Sequence, residues 1–173
     1  MKLYLDVDDT LLDTEGYIKS VLGGKWLRED RLIYSCYSQM QPEEMSKVIT
    51  AFSDYTKIPF KSGAKEGLEA LKKNFDVVLC SSYVHNCEYE AKKVLAEKLG
   101  LPIILCGGAN WDKSHINMSG SVFVDNNTRL LNLSNADKKV CFYQRGNMVQ
   151  EFTDGAIVFD WFELMDELLT NCL

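Results

Sequence analysis

Six short apolar runs rich in β-formers constrain the fold more than any other feature of this chain. They are Lys2–Leu5, Asp76–Cys80, Pro102–Cys106, Ser121–Val124, Lys139–Tyr143 and Ala156–Phe159. In Val77-Val78-Leu79-Cys80 the hydrophobicity is continuous. A strand with one face in water alternates apolar and polar residues; a strand covered on both faces does not. The runs therefore predict a parallel sheet flanked by helices, a Rossmann-like α/β architecture. Helical segments lie between them. Ser62–Leu71 precedes the second run. Asn86 is placed to cap a helix that runs through Leu99 and is closed by Gly100 and Pro102. Asp160 and Glu163 form a capping box for a last helix with Trp161, Leu164, Met165 and Leu168 on its apolar face.

One connection is too long for this scheme. About fifty residues separate the first run from the helix before the second, far more than a βαβ crossover needs. The segment reads as helical. Tyr17, Ile18, Val21 and Leu22 form one apolar stripe. Pro42-Glu43-Glu44 opens another helix, with Met45, Val48, Ile49 and Phe52 at helical spacing. Residues 14–60 are expected to form a small helical cap, and 1–13 with 61–173 the core domain. The cap would stand over the sheet edge where strand 1 ends, the edge where open α/β sheets bind ligands.

Composition narrows the classes. At 173 residues and 46% hydrophobic, the chain can bury a real core in one domain. A net charge of −6 disfavours binding to an anionic membrane or extended nucleic acid, while a small anion needs only a local positive site. The first ten residues are too acidic for a signal peptide, and no apolar run approaches membrane-spanning length, so a cytoplasmic protein is expected. Cysteines stand at 36, 80, 87, 106, 141 and 172 without a CxxC pair, a pattern expected of reduced, mostly buried thiols.

Four chemical features fall at strand ends on the same sheet edge. They are Asp6-Val7-Asp8-Asp9-Thr10, then Ser81-Ser82, then Lys113, then Asp125-Asn126. Carboxylates crowded at the end of a buried strand repel and resist ionisation unless a cation or helix terminus compensates them. Asp9 is read as facing the following turn and Asp13 as solvated or capping. Lys92 and Lys93 read as solvated helix residues, and His85 and His115 as loop or capping residues. Trp26, Tyr34 and Tyr37 could stack on a nucleobase or simply hold a small helical subdomain together.

This constellation resembles the haloacid dehalogenase-like (HAD) superfamily of phosphotransferases. Asp6-Val7-Asp8-Asp9-Thr10 matches the first motif in full, Ser81 the second, Lys113 the third, and Asp125 the fourth in part. The resemblance implies a Mg²⁺-dependent phosphomonoesterase. Asp6 would be the nucleophile that forms an aspartyl-phosphate and Asp8 the general acid and base. Ser81, with Ser82 as its neighbouring alternative, and Lys113 would hold phosphate oxygens. Asp6, Asp8 through its main-chain carbonyl, Asp125 and Asn126 would supply oxygen ligands to the metal. Many relatives carry two acids in the fourth motif, where this chain has Asp125-Asn126. The short cap, Leu79-Cys80-Ser81-Ser82-Tyr83 and the Phe159–Leu164 stretch look closest to the 5′(3′)-deoxyribonucleotidase branch, which implies a small phosphorylated substrate, a nucleoside monophosphate. The same chemistry on a polynucleotide 3′-phosphate or a sugar phosphate stays open, as do a catalytically silent phosphate binder and a homodimer. A receiver-type signalling domain is disfavoured, because its phosphorylated Asp ends a middle strand, and here Ser81 stands there.

Overall fold

In the computed structural model, residues 1–145 and 151–170 are described. All six apolar runs are strands: β1 Lys2–Leu5, β2 Asp76–Ser82, β3 Ile103–Cys106, β4 Ser121–Asp125, β5 Lys138–Phe142 and β6 Ala156–Val158. They form one sheet in the order β3-β2-β1-β4-β5-β6, with every neighbouring pair parallel. Chain direction across the sheet reverses between β1 and β4, which creates a crevice beyond their C-terminal ends. The α/β, Rossmann-like expectation holds.

The helices are α1 Thr14–Leu22, α2 Pro42–Phe52, α3 Ala64–Asn74, α4 Asn86–Leu99, α5 Thr128–Leu133 and α6 Trp161–Thr170. Strand side chains alternate between two apolar layers. Leu3, Leu5, Val77, Leu79, Val122 and Val124 pack with Leu68 and Leu71 of α3, Leu95 of α4, and Trp161 and Leu164 of α6. Tyr4, Val78, Cys80, Phe123 and Cys141 face the other way, against Met118, Leu130, Leu131 and Phe152. Burial on both faces is the reason the strand sequences lack alternation.

Local chemistry sets the helix ends. Gln41 and Glu44 form a capping box on α2, with Gln41 N donating to Glu44 Oε2 at 2.9 Å. Gly100 ends α4 in the left-handed conformation that a residue with a Cβ resists. Asn86 is not the cap of α4. His85 occupies the N-cap with extended backbone, Asn86 is the first helical residue, and no side chain of the N-cap bonds the helix start. At α6, Asp160 accepts from Glu163 N at 2.9 Å as expected, but the Glu163 carboxylate accepts from Phe159 N at 2.8 Å.

The segment after β1 is mostly helical. It holds α1, 3-10 turns at Gly24–Arg28, Ile33–Gln39 and Tyr55–Lys57, and α2. It enters and leaves through a two-stranded neck: Asp13 N donates to Pro59 O at 2.8 Å and Lys61 N to Leu11 O at 3.0 Å. Cys36, Cys80 and Cys106 are buried free thiols, Cys141 is buried as well, and Cys87 is half-buried and free; Cys172 lies outside the described residues. No helix among the described residues is long and apolar enough to cross a membrane.

Candidate active site

The acidic motif begins where β1 ends. Asp6 N donates to Val124 O at 3.0 Å, which extends the ladder to β4 by one residue and fixes Asp6 at the crevice. The chain then folds back, with Val7 O accepting from Leu11 N at 3.0 Å and Leu12 N at 2.9 Å. Asp9 takes a left-handed φ of 58°, which sends the three carboxylates in different directions. Each meets its own compensator.

Asp6, only 5% exposed, accepts from Lys113 Nζ at 2.7 Å, and Asp125 at the end of β4 accepts from the same ammonium at 2.7 Å. Lys113 itself has φ 63°, the turn that brings its side chain inward. Burial works against its charge, but Asp125 and Asp6 outweigh burial and hold the ammonium protonated well above the usual lysine range. Burial raises the Asp6 carboxyl, Lys113 pulls it down, and Asp125 and Asp8 push it up; the net direction is upward. Two carboxylates on one cation leave the cluster short of positive charge.

Asp8 has four donors. Its Oδ1 accepts from Thr14 Oγ1 and Tyr55 OH, each at 3.0 Å, and its Oδ2 from Lys92 Nζ at 2.5 Å and Ser81 Oγ at 3.3 Å. Burial opposes its ionisation, but Lys92 and these hydrogen bonds more than offset it and hold the carboxyl below the usual range. Two donors come from the helical segment after β1 and two from the sheet side. Asp9 accepts from Glu15 N at 2.8 Å and so caps the first turn of α1 from a distance. Burial nevertheless raises its carboxyl to about 7. Asp13, the N-cap residue of α1, makes no capping bond and pairs with Lys61 at 3.6 Å.

Lys92 corrects the sequence reading. It is fully buried, and its ammonium bonds Asp8 and Ser82 O, each at 2.5 Å. Its neighbour Lys93 is only half-buried and pairs at the surface with Glu90 at 3.4 Å. A signal was present: Ala91, Lys92, Leu95 and Ala96 share the inward stripe of α4, and a lysine on an apolar stripe asks for a buried partner. Tyr55 and Thr14 left no such mark, because their contacts with Asp8 arise only when the segment after β1 folds over the sheet edge.

The remaining expected residues divide. The Ser81 hydroxyl is buried against Asp8, while Ser82 Oγ donates to Trp111 O at 2.7 Å on the cavity wall. Asn126 follows Asp125 into the crevice and donates through Nδ2 to Gln144 Oε1 at 3.0 Å. Trp26 is buried in the helical segment, where its indole donates to Glu44 at 2.7 Å; Tyr34 and Tyr37 do line the cavity. His85 is the N-cap residue of α4, and neither it nor His115 lines the cavity.

The cavity over this crevice measures about 560 Å³. Asp6, Asp8, Lys113, Asp125 and Asn126 lie in it, with Tyr34, Tyr37, Phe52 and Tyr55 contributed by the segment after β1 and Tyr83 and Trp111 by core loops. Its metal-binding potential rests on oxygen. Among the described residues no three His, Cys, Asp or Glu side chains gather into a metal-holding group. The crevice instead offers the Asp6 and Asp125 carboxylates, drawn together by one ammonium, with Asn126 beside them. A site of hard oxygen donors and a deficit of positive charge fits Mg²⁺ in kind.

No known protein-family pattern matches the chain, and no curated protein sequence does. Solved structures do. The HAD hydrolase YfnB of Bacillus subtilis, crystallised bound to magnesium, superposes with a TM-score of 0.62 at 11% identity, over 96% of this chain and 97% of that one. A haloacid dehalogenase-like hydrolase from Streptococcus pneumoniae gives 0.62 at 8% identity over 96% and 97%. One from Xanthomonas campestris gives 0.58 at 13% identity over 98% and 95%. The fold is thus that of HAD-superfamily hydrolases over nearly the whole chain, and the similarity at these identities is one of fold. The nucleotidase branch draws no support from these matches.

Proposed function

We propose that this chain is a Mg²⁺-dependent phosphomonoesterase that works through an aspartyl-phosphate on Asp6. The observation that carries the reading is the pairing of Asp6 and Asp125 across the β1–β4 crevice on one buried lysine, at the floor of a cavity with room for an organic phosphate. Asp6 presents its carboxylate to phosphorus. Lys113, held charged by its two partners, neutralises the attacking carboxylate and the phosphoryl oxygens together. Asp8 is held by four donors beside that position; protonated before the ester is cleaved, it gives that proton to the leaving oxygen, and the carboxylate left behind then takes a proton from the attacking water. Ser81 anchors Asp8 from beneath, and Ser82, on the cavity wall, is the hydroxyl placed to meet a phosphate oxygen by exchanging its bond to Trp111 O. Bound Mg²⁺ would be held by Asp6, Asp125, Asn126 and the Asp8 carbonyl, and would polarise the phosphate.

Residues 14–60 act as the cap, and 1–13 with 61–173 as the core. The cap supplies Tyr34, Tyr37, Phe52 and Tyr55 to the cavity. These rings favour a flat leaving group, and a nucleoside monophosphate, in particular a deoxyribonucleoside one, is the substrate proposed. The test is phosphate release from nucleoside 5′- and 3′-monophosphates, sugar phosphates and 4-nitrophenyl phosphate, with and without Mg²⁺. Asp6→Asn is expected to lower turnover by at least ~10³-fold while the protein stays folded, since it removes the nucleophile. Turnover that survives Asp6→Asn or ignores Mg²⁺ would sink the reading.

A further inference from the structure

Glu88 is a carboxylate on the cavity wall that the proposed chemistry does not use. It stands on the first turn of α4, is 6% exposed, and lines the cavity. Its Oε2 accepts one long bond, 3.3 Å, from Val84 N; its Oε1 accepts none from the described residues. The other acids of the wall are held closely: Asp6 and Asp125 by Lys113 at 2.7 Å, Asp8 by Lys92 at 2.5 Å, Asp9 by Glu15 N at 2.8 Å, and Glu15 by Lys19 at 2.9 Å. Lys92, one turn along from Glu88, has its ammonium committed to Asp8 and Ser82 O. Burial raises the Glu88 carboxyl above its ordinary value, against the field of Lys92.

The bland account is a helix-start acid that satisfies Val84 N. That role uses one oxygen and would be served as well by a solvated side chain. It leaves unexplained why a side chain almost wholly buried, on the wall it shares with Tyr37 and Tyr55, keeps its second oxygen open to the cavity and matched by no donor among the described residues, where a ligand donor can reach it.

We propose that Glu88 is a specificity residue whose free Oε1 accepts a hydrogen bond from a hydroxyl or amine N–H on the leaving group. This rests on the phosphomonoesterase reading and deepens it. The substrate class is then a phosphate monoester whose organic part joins a flat ring, held by the cap aromatics, to a hydrogen-bond donor held by Glu88. A site with such an acceptor discriminates against analogues that lack the donor, because the bound analogue takes water from Oε1 without giving it a partner.

The experiment compares kcat/KM for donor-bearing esters, the nucleoside monophosphates and 4-aminobenzyl phosphate, with that for donor-free 4-nitrophenyl phosphate. It is run on the native chain, Glu88→Ala and Glu88→Gln. The ratio of donor-bearing to donor-free kcat/KM is expected to fall about 10- to 100-fold in Glu88→Ala, mainly through KM, as loss of a hydrogen bond to a charged group implies. Glu88→Gln keeps a neutral acceptor, so it restores much of the ratio for these neutral O–H and N–H donors. An unchanged ratio in both variants overturns the proposal, whatever happens to overall activity or melting temperature. Should Glu88→Ala fail to fold, Glu88→Met, close in volume but without an acceptor, reads the same ratio, and an unchanged ratio there overturns the proposal. Native turnover of 4-nitrophenyl phosphate that depends on Asp6 tests the underlying chemistry separately. Its absence overturns both readings, and its presence with a fixed ratio overturns only the role of Glu88.

Discussion

At the scale of residues, three acids at one strand end are tolerable because each has a different counterweight. Asp6 has Lys113, Asp8 has Lys92, and Asp9 has the first turn of α1. The third is the weakest, since one main-chain N–H does not replace the water that Asp9 loses, and its carboxyl stays up at about 7. An acid that ionises near 3.8 when unfolded and near 7 when folded binds more protons in the folded state between those values. Its contribution to stability is therefore present below about pH 4 and is lost as pH rises through about 7. Asp9→Asn, which keeps the acceptor for Glu15 N, is expected to gain on the native chain by a few kcal/mol between pH 4 and pH 8. Denaturant unfolding across that range would check it; a difference that does not grow with pH would count against it. Lys92 is the opposite case. Lys92→Met removes the ammonium that holds Asp8 ionised, so the Asp8 carboxyl should rise and whichever limb of the kcat–pH profile Asp8 governs should move to higher pH. Loss of this buried pair is expected to lower stability by about 2 kcal/mol, less than for a pair wholly out of water because Asp8 faces the cavity.

At the scale of elements, close approach rather than propensity sets the packing of α3 on α6. Gly67 lies inside α3, where glycine is a poor helix former, yet a Cβ there would stand 2.5 Å from Trp161 Cε3. Trp161 is not free to retreat. It is buried, and its indole donates to Thr10 O at 2.8 Å, so α6 props the loop that carries the acidic motif. Gly67→Ala should therefore lower stability by about 1–3 kcal/mol, although alanine favours helix, because overpacking outweighs the gain in propensity. A raised midpoint in thermal unfolding would refute that account. Helix α4 shows a related priority. Its start lacks an N-cap side-chain bond, and its inward stripe includes Glu88 and Lys92, so this helix is arranged for the cavity at some expense to its own regularity.

At the scale of the whole molecule, Lys113 ties two strands on either side of the crevice. Lys113→Met leaves Asp6 and Asp125 facing each other without a cation, which should destabilise the chain by about 3 kcal/mol or more. A dication bound by the same carboxylates would supply that charge. Millimolar Mg²⁺ is therefore expected to recover a larger share of the lost melting temperature in Lys113→Met than it adds to the native chain. Equal shifts in both, or none, would show that Asp6 and Asp125 do not hold the ion. The segment after β1 meets the core at Asp8, through Thr14 and Tyr55, and at the neck of Leu11–Asp13 with Pro59–Lys61. The carboxylate proposed to handle the proton is thus also a contact between the two parts of the chain.

The sequence by itself determined the sheet, its strands and the residues gathered at its working edge. Continuous apolar runs, the position of Asp6 and Asp8 at a strand end, and the over-long insert are local patterns that burial and backbone geometry translate directly. Only the tertiary structure decided which cation meets which carboxylate. Lys92 lies 84 residues from Asp8, and nothing in the order of residues pairs them; motif order brought Lys113 to the edge of Asp6, 107 residues away, but not onto the Asp6 carboxylate. The same holds for Tyr55 on Asp8 and for the half-engaged Glu88. Electrostatic partners are chosen by distance in three dimensions, and that distance exists only once the sheet, α4 and the segment after β1 have closed around one cavity.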